Sequence, residues 1–126
     1  MATYEFIGIH FLASYIGCQK DLTDIDNLRI TMRKAIEASG ATILGHNEHI
    51  FTPMNGYTAV FVLSESHASI HTYPENDSCF VDLFTCGQNC SSEKFDHVLR
   101  EFLQPSKVTY QVIMRNNDII LLNQNG

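Results

Sequence analysis

Two stretches of this chain have apolar residues at helical spacing, and each of them needs a surface on which to bury one face. Asp24–Ser39 has this spacing and is followed by Gly40, while Ser92–Gln104 has it and is stopped by Pro105. A helix with a single apolar face requires a second layer that covers that face. The rest of the chain must therefore supply an apolar surface for both helices.

The segments around the helices are typical of β-strands. Their β-branched and aromatic residues indicate strands at Thr3–Ala13, Ala41–Phe51, Tyr57–Ser64, Ser78–Cys86 and Lys107–Met114. The order of these elements predicts an α+β fold, a two-layer sandwich in which an antiparallel β-sheet has both helices on one face.

Three details of the strand pattern lead to further expectations. Tyr57–Ser64 is apolar on both faces, which predicts a strand that is covered on both sides. A polar interruption is expected at Gly45–Glu48, in the middle of the second strand. The tail from Asn116 to Gly126 is polar apart from Ile119–Leu122 and is predicted to be loosely held.

Length and charge restrict the class of protein. The 126 residues fit one compact domain, 1–126, and a core of this size makes oligomerisation a reasonable expectation. The formal net charge is −6, with only 8 Lys and Arg residues, so we expect neither nucleic acid nor an anionic membrane as partner. The chain shows no long apolar run and no signal peptide pattern, which predicts a cytoplasmic protein.

The cysteines and histidines do not form a recognisable metal motif. The cysteines are Cys18, Cys79, Cys86 and Cys90, without a CxxC pair, and we expect them to be thiols. The histidines are spread along the chain without an HExxH motif, so the sequence predicts no metal site.

The segment Ser64–Glu75 contains hydroxyls, imidazoles and carboxylates at a density that is unusual for a connecting segment. A serine such as Ser66, next to histidines, could be the nucleophile of a hydrolase, although no GxSxG motif is present. It could also cap a turn at the end of a strand. A third possibility is that the Ser66 hydroxyl attacks the carbonyl of Glu65, which would convert the peptide into an ester and, after elimination, leave a ketone.

Three strings of residues resemble one known family in order and spacing. They are Ser64-Glu65-Ser66-His67, Ile70-His71-Thr72-Tyr73-Pro74-Glu75 and Val81-Asp82-Leu83-Phe84-Thr85-Cys86-Gly87. Together with shorter matches elsewhere between residues 5 and 115, they resemble the bacterial and archaeal S-adenosylmethionine decarboxylase proenzymes, which are pyruvoyl-dependent.

This resemblance implies that the chain cleaves itself between Glu65 and Ser66. Residues 1–65 would form the β chain and residues 66–126 the α chain, with Ser66 converted into a covalent pyruvoyl cofactor. His71 matches the histidine that assists processing, and Thr58 stands where many relatives have a serine that supports it.

The resemblance also implies the roles of four other residues. Cys86 matches the thiol that protonates the substrate carbon after carbon dioxide leaves. Phe51, Tyr73 and Glu75 match positions that hold S-adenosylmethionine, the substrate whose decarboxylation supplies polyamine synthesis. In the family these groups come from two protomers, so a homodimer of αβ units is implied.

Two other functions remain open at this stage. Some relatives decarboxylate arginine or ornithine, and Asp77 could face the distal cation of such a substrate. The chain could instead be a relative that does not cleave itself and serves as a binding or regulatory partner.

Overall fold

The computed structural model describes residues 6–64, 66–87 and 89–125. In chain order the elements are β1 (Gly8–Ile16), α1 (Ile25–Ser39), β2 (Ile43–Phe51), β3 (Gly56–Leu63), β4 (Ser66–Tyr73), β5 (Ser78–Thr85), α2 (Ser92–Leu103), β6 (Lys107–Arg115) and β7 (Ile119–Gln124). Within these residues, seven strands form one antiparallel sheet in the order β2-β3-β4-β5-β1-β6-β7. The predicted α+β sandwich is confirmed.

Both helices begin and end where the sequence provides the appropriate caps. The Asp24 carboxylate accepts a hydrogen bond from the Asn27 amide and starts α1, and Gly40, with a φ of 99°, ends it. The Ser91 hydroxyl accepts from the Lys94 amide at 3.2 Å and starts α2. The capping residues therefore determine where each helix begins and, for α1, also where it ends.

The hydrophobic core lies between the helices and one face of the sheet. The buried set includes Leu28, Met32 and Ile36 of α1, Phe95, Leu99 and Leu103 of α2, and Phe61, Ile70 and Leu83 of the central strands. Burying each such side chain stabilises the fold by about 1.5–3 kcal/mol relative to exposure. On β5, Cys79, Val81, Leu83 and Thr85 face this core, as the alternation in the sequence predicted.

The opposite face of the sheet has no helix on it in the described chain, and we call it the open face. On β3, Val60 and Val62 point to this face and are 43% and 53% exposed. The prediction that β3 is covered on both sides is therefore wrong for a single chain. Leu12 and Phe80 are exposed on the same face, so it includes several large apolar side chains.

The structure corrects the sequence analysis at three other places. The polar segment 66–73 is a complete strand, β4, paired on both sides. Strand β2 is continuous, and it has a change of register between Ile43 and Gly45 in place of the predicted interruption. The prediction of a loosely held tail is wrong, because Ile119–Gln124 pairs with β6 as strand β7.

No helix in the described part of the chain is long and apolar enough to cross a membrane.

Candidate active site

Ser66 is the first residue of β4, at the turn of the hairpin that joins β3 to β4. It pairs with Leu63 across this hairpin, and its hydroxyl donates a hydrogen bond of 3.3 Å to the Ser64 carbonyl oxygen. Its side chain is half-buried. Glu65, the other residue of the predicted cleavage site, lies outside the described residues. The predicted nucleophile thus lies at a hairpin turn, beyond the apolar part of β3.

Thr58 and His71 form a pair on the open face. They are directly opposite each other on β3 and β4, and the Thr58 hydroxyl is hydrogen-bonded to Nδ1 of His71. His71 follows Ser66 by five positions on the same strand, which corresponds to about 16 Å. An odd separation also directs the two side chains to opposite faces. One chain therefore does not bring His71 or Thr58 to Ser66.

The predicted substrate-binding residues surround a cleft at the His71 end of β4. Phe51, His71, Tyr73 and Glu75 all line it. The His71 ring lies 6.2 Å from the Phe51 ring and 4.6 Å from the Tyr73 ring, measured between centroids. The cleft encloses about 280 Å³, which is slightly below the usual range for a small-molecule pocket.

Glu75 and Asp77 lie in the segment that follows β4. Glu75 belongs to a single 3₁₀ turn, Pro74–Asn76, and its side chain is exposed. Asp77 follows in the left-handed region with a φ of 50°, and its carbonyl oxygen accepts a 2.7 Å hydrogen bond from the Cys18 amide. Of these two acids, only Glu75 is among the residues that line the cleft.

Cys86 lies at the other end of β4, near Ser66. The register places His67 opposite Phe84, so one further step sets Ser66 opposite Thr85, and Cys86 follows directly. Cys86 is half-buried. The structure therefore brings Ser66 and Cys86 to one end of the strand pair, while Thr58, His71 and the cleft occupy the opposite end.

A polar cluster on the open face was not anticipated from the sequence. His10 Nε2 lies 2.7 Å from Asp82 Oδ2, His67 Nε2 lies 3.8 Å from the same oxygen, and the Ser69 hydroxyl donates to Asp82 Oδ1. Burial alone would raise the pKa of Asp82, but the hydrogen bonds from His10 and Ser69 outweigh it and hold the pKa below its ordinary value. The alternation of β5 placed Asp82 beside Phe84, but nothing in the sequence linked it to His10.

A family model described as S-adenosylmethionine decarboxylase matches residues 9–116 of the chain. An S-adenosylmethionine decarboxylase proenzyme from Methanococcus vannielii is 40% identical over 103 residues, which is 81% of this chain and 84% of that protein. A proenzyme of the same description from Thermosipho africanus is 37% identical over 103 residues, 81% of this chain and 78% of that protein.

Solved structures resemble the fold. The crystal structure of an adenosylmethionine decarboxylase from Aquifex aeolicus superposes with a TM-score of 0.75 at 26% identity, over 97% of this chain and 99% of that one. A decarboxylase of the same description from Trypanosoma brucei has a TM-score of 0.56 at 15% identity, over 84% of this chain and 45% of that one, and shows similarity of fold alone.

Proposed function

Because the chain belongs to the S-adenosylmethionine decarboxylase family, we propose that it cleaves itself between Glu65 and Ser66 and decarboxylates S-adenosylmethionine. The product would be the aminopropyl donor for polyamine synthesis. The observation that supports this most directly is that Ser66 lies at the β3–β4 turn, at the same end of the strand pair as Cys86. A cytoplasmic location stays a prediction of the sequence.

The processing reaction would begin at the Ser66 hydroxyl. Its oxygen adds to the Glu65 carbonyl carbon, the peptide C–N bond breaks, and an ester joins the two residues. A base then removes the Ser66 α-proton, the Cβ–O bond breaks, and the Glu65 carboxylate leaves. Tautomerisation and addition of water release ammonia and leave a pyruvoyl group at residue 66. The acyl shift needs the hydroxyl and hydrogen-bond donors to the oxyanion, and the elimination needs a base.

The Thr58–His71 pair is the natural source of that base and donor, but it lies about 16 Å from Ser66 along the strand. A second copy of the chain resolves this separation. If two open faces pack about a twofold axis, the His71 end of one chain can lie over the Ser66 end of its partner. The Ser66 side chain, at the first residue of β4, would have to turn towards the open face to meet that histidine. The exposed Val60 and Val62 would be buried by the same contact. We therefore propose a homodimer of αβ units with two composite sites.

In the mature enzyme the pyruvoyl carbonyl would supply the electron-withdrawing group that accepts the electron pair left when carbon dioxide departs. The residues of the chain would do the remaining work. Phe51 and Tyr73 present ring faces that can stack on adenine or attract a sulfonium, and Glu75 can accept hydrogen bonds from ribose hydroxyls. Cys86, next to residue 66 in the register, would donate the proton to the substrate carbon.

Two measurements test this proposal. Intact-mass analysis of the purified protein should show two fragments divided at Glu65–Ser66, and S-adenosylmethionine should release carbon dioxide. A single uncut chain after long incubation would instead support the alternative of a regulatory partner that does not cleave itself. If carbon dioxide is released only from arginine or ornithine, the substrate is that amino acid and not S-adenosylmethionine, while the pyruvoyl chemistry stays the same.

A further inference from the structure

The open face brings together three side chains that commonly bind metals. His10, His67 and Asp82 each offer one ligand atom, and these three atoms lie within 4.8 Å of one another. Nε2 of His10 and Nε2 of His67 lie 2.7 and 3.8 Å from Asp82 Oδ2. We propose that His10, His67 and Asp82 form a binding site for a divalent transition-metal ion such as Zn²⁺. This inference does not depend on self-cleavage or on the decarboxylation proposed above.

The sheet holds these three donors in place. His10 on β1 and His67 on β4 are both register partners of Phe84 on β5, one on each side, and Asp82 is the next residue of β5 on that face. The Phe84 ring centroid lies 5.4 Å from that of His10 and 5.5 Å from that of His67. Three neighbouring strands and one shared ring therefore fix the imidazoles, so little conformational entropy is lost when an ion binds.

The donor set is chemically appropriate for zinc and its neighbours. Two imidazoles and one carboxylate bind Zn²⁺ and Fe²⁺ in proteins, with the remaining positions open to water. The Ser69 hydroxyl donates a hydrogen bond to Asp82 Oδ1 and leaves Oδ2 directed at the histidines, and carboxylates that bind metals are usually held by such a hydrogen bond. His67 is exposed in the single chain, so an ion can reach the cluster before two open faces pack together.

Arg115 sets a condition on binding. Its Nη1 lies 3.5 Å from His10 Nδ1, and since a guanidinium can only donate, Nδ1 accepts and the proton is on Nε2. A metal at Nε2 requires the other tautomer, in which Nδ1 carries the proton and repels the Arg115 donor. Arg115 can remain on the Phe84 ring, where its guanidinium carbon already lies 5.3 Å from the centroid. Removing Arg115 should therefore strengthen metal binding, which a general loss of structure would not do.

An ion bound at these three residues would also connect the two parts of the chain on either side of the proposed cleavage site. His10 precedes residue 65, whereas His67 and Asp82 follow it. After the proposed cleavage, the ion would be bound by both resulting chains. Because the cluster is on the open face, it would also lie near the interface of the proposed dimer.

The test is a titration of the full-length protein after dialysis against a chelator. Calorimetry with Zn²⁺ should show one ion bound per chain, and Co²⁺ should give a visible spectrum typical of nitrogen and oxygen ligands without thiolate bands. His67→Ala and Asp82→Asn should each weaken binding by about tenfold or more. His97→Ala, at a histidine exposed on α2, is the matched control and should leave the affinity unchanged.

Two further variants distinguish a change in metal binding from a general loss of structure. Arg115→Ala should bind Zn²⁺ more tightly than the unmodified protein, and Ser69→Ala should bind it more weakly, while circular dichroism confirms that both are folded. The inference is overturned if the unmodified protein takes up no stoichiometric metal. It is equally overturned if His67→Ala and Asp82→Asn bind as tightly as His97→Ala does, or if cobalt shows thiolate ligation.

Discussion

Ser66 and His71 lie on the same strand, β4, but their side chains leave the sheet on opposite faces. No change of side-chain rotamer within one chain can bridge the distance of about 16 Å along the strand. The pairing of His71 with Thr58 is nevertheless complete within the chain, by a direct hydrogen bond. This separation is expected if the Thr58–His71 pair of one chain acts on Ser66 of a second copy.

Co-expression of two inactive variants tests this arrangement. Ser66→Ala has no nucleophile, and His71→Ala lacks the proposed base, so each alone should remain uncut. In a mixed dimer, the His71→Ala chain keeps its own Ser66 and meets the intact His71 of its partner. Intact-mass analysis should therefore show cleavage of the His71→Ala chain only. Absence of cleavage in mixtures shown to contain mixed dimers would contradict the composite site.

A charge on the open face should separate the protomers. Val62 is 53% exposed in the single chain, and a carboxylate there would have to be buried in the proposed interface without a partner. Val62→Glu is therefore expected to sediment as a monomer and to process slowly. Ile30→Glu, at an exposed apolar residue of α1, is the control and should remain dimeric. If both variants sediment alike, the open face is not the interface.

Cys86→Ala should separate processing from turnover. The variant retains Ser66, Thr58 and His71, so we expect it to cleave into two chains. It lacks the proton donor, and general acid catalysis typically contributes about 10²–10⁴-fold to rate. Steady-state release of carbon dioxide per cleaved chain should fall by that order. A Cys86→Ala enzyme with unchanged turnover would exclude the thiol as the acid.

Substrate choice should respond to changes in the cleft. Tyr73→Leu removes a ring that can stack on adenine, an interaction worth about 1–3 kcal/mol for base stacking in other proteins, so KM for S-adenosylmethionine should rise by roughly tenfold or more. Glu75→Gln should raise KM through weaker binding of the ribose. Asp77→Asn lies outside the cleft and is the control. A selective loss of arginine or ornithine turnover in Asp77→Asn would instead favour the amino-acid substrate.

Stability should decrease in acid through the ion pair that joins α1 to β2. Arg29 donates to Glu48 at 2.8 and 2.5 Å and lowers the pKa of that carboxyl from 4.5 to about 2. Because the folded pKa lies below the unfolded value, this stabilisation is present above pH 4.5 and is lost as the pH falls towards 2. Urea unfolding of Glu48→Gln and Arg29→Ala should show a smaller decrease across that range, and the double variant should add little more.

Sequence patterns were sufficient for the layers of this fold but not for the complete sheet. The helical spacing of Asp24–Ser39 and the cap at Gly40 predicted α1 correctly, because local chemistry determines both. Strand β4 was missed because its outward positions are polar, and polar residues at a strand were interpreted as a connection. Strand β7 was missed because all of its residues are exposed, so its pairing with β6 has no signature of burial.

For the candidate site, too, the sequence predicted some features and missed others. The resemblance predicted roles for Ser66, His71 and Cys86, but not their distances from one another, because those distances depend on the register of the strands. His10 and Asp82 are 72 positions apart, and only the antiparallel pairing of β1 with β5 brings them into hydrogen-bond contact. The apolar residues on both faces of β3 predicted a strand covered on both sides, but Val60 and Val62 are exposed, and no element within the described residues covers them.

The strand order has a consequence for the mature protein. Cleavage after residue 65 would assign β1 to the first chain and both of its neighbours, β5 and β6, to the second, and β3 would still pair with β4. The two polypeptides would be interwoven, since neither could leave without breaking hydrogen bonds in the middle of the other's sheet. Cleavage would thus break one peptide bond and leave the hydrogen bonds of the sheet intact. The two fragments should stay together until the whole fold is denatured.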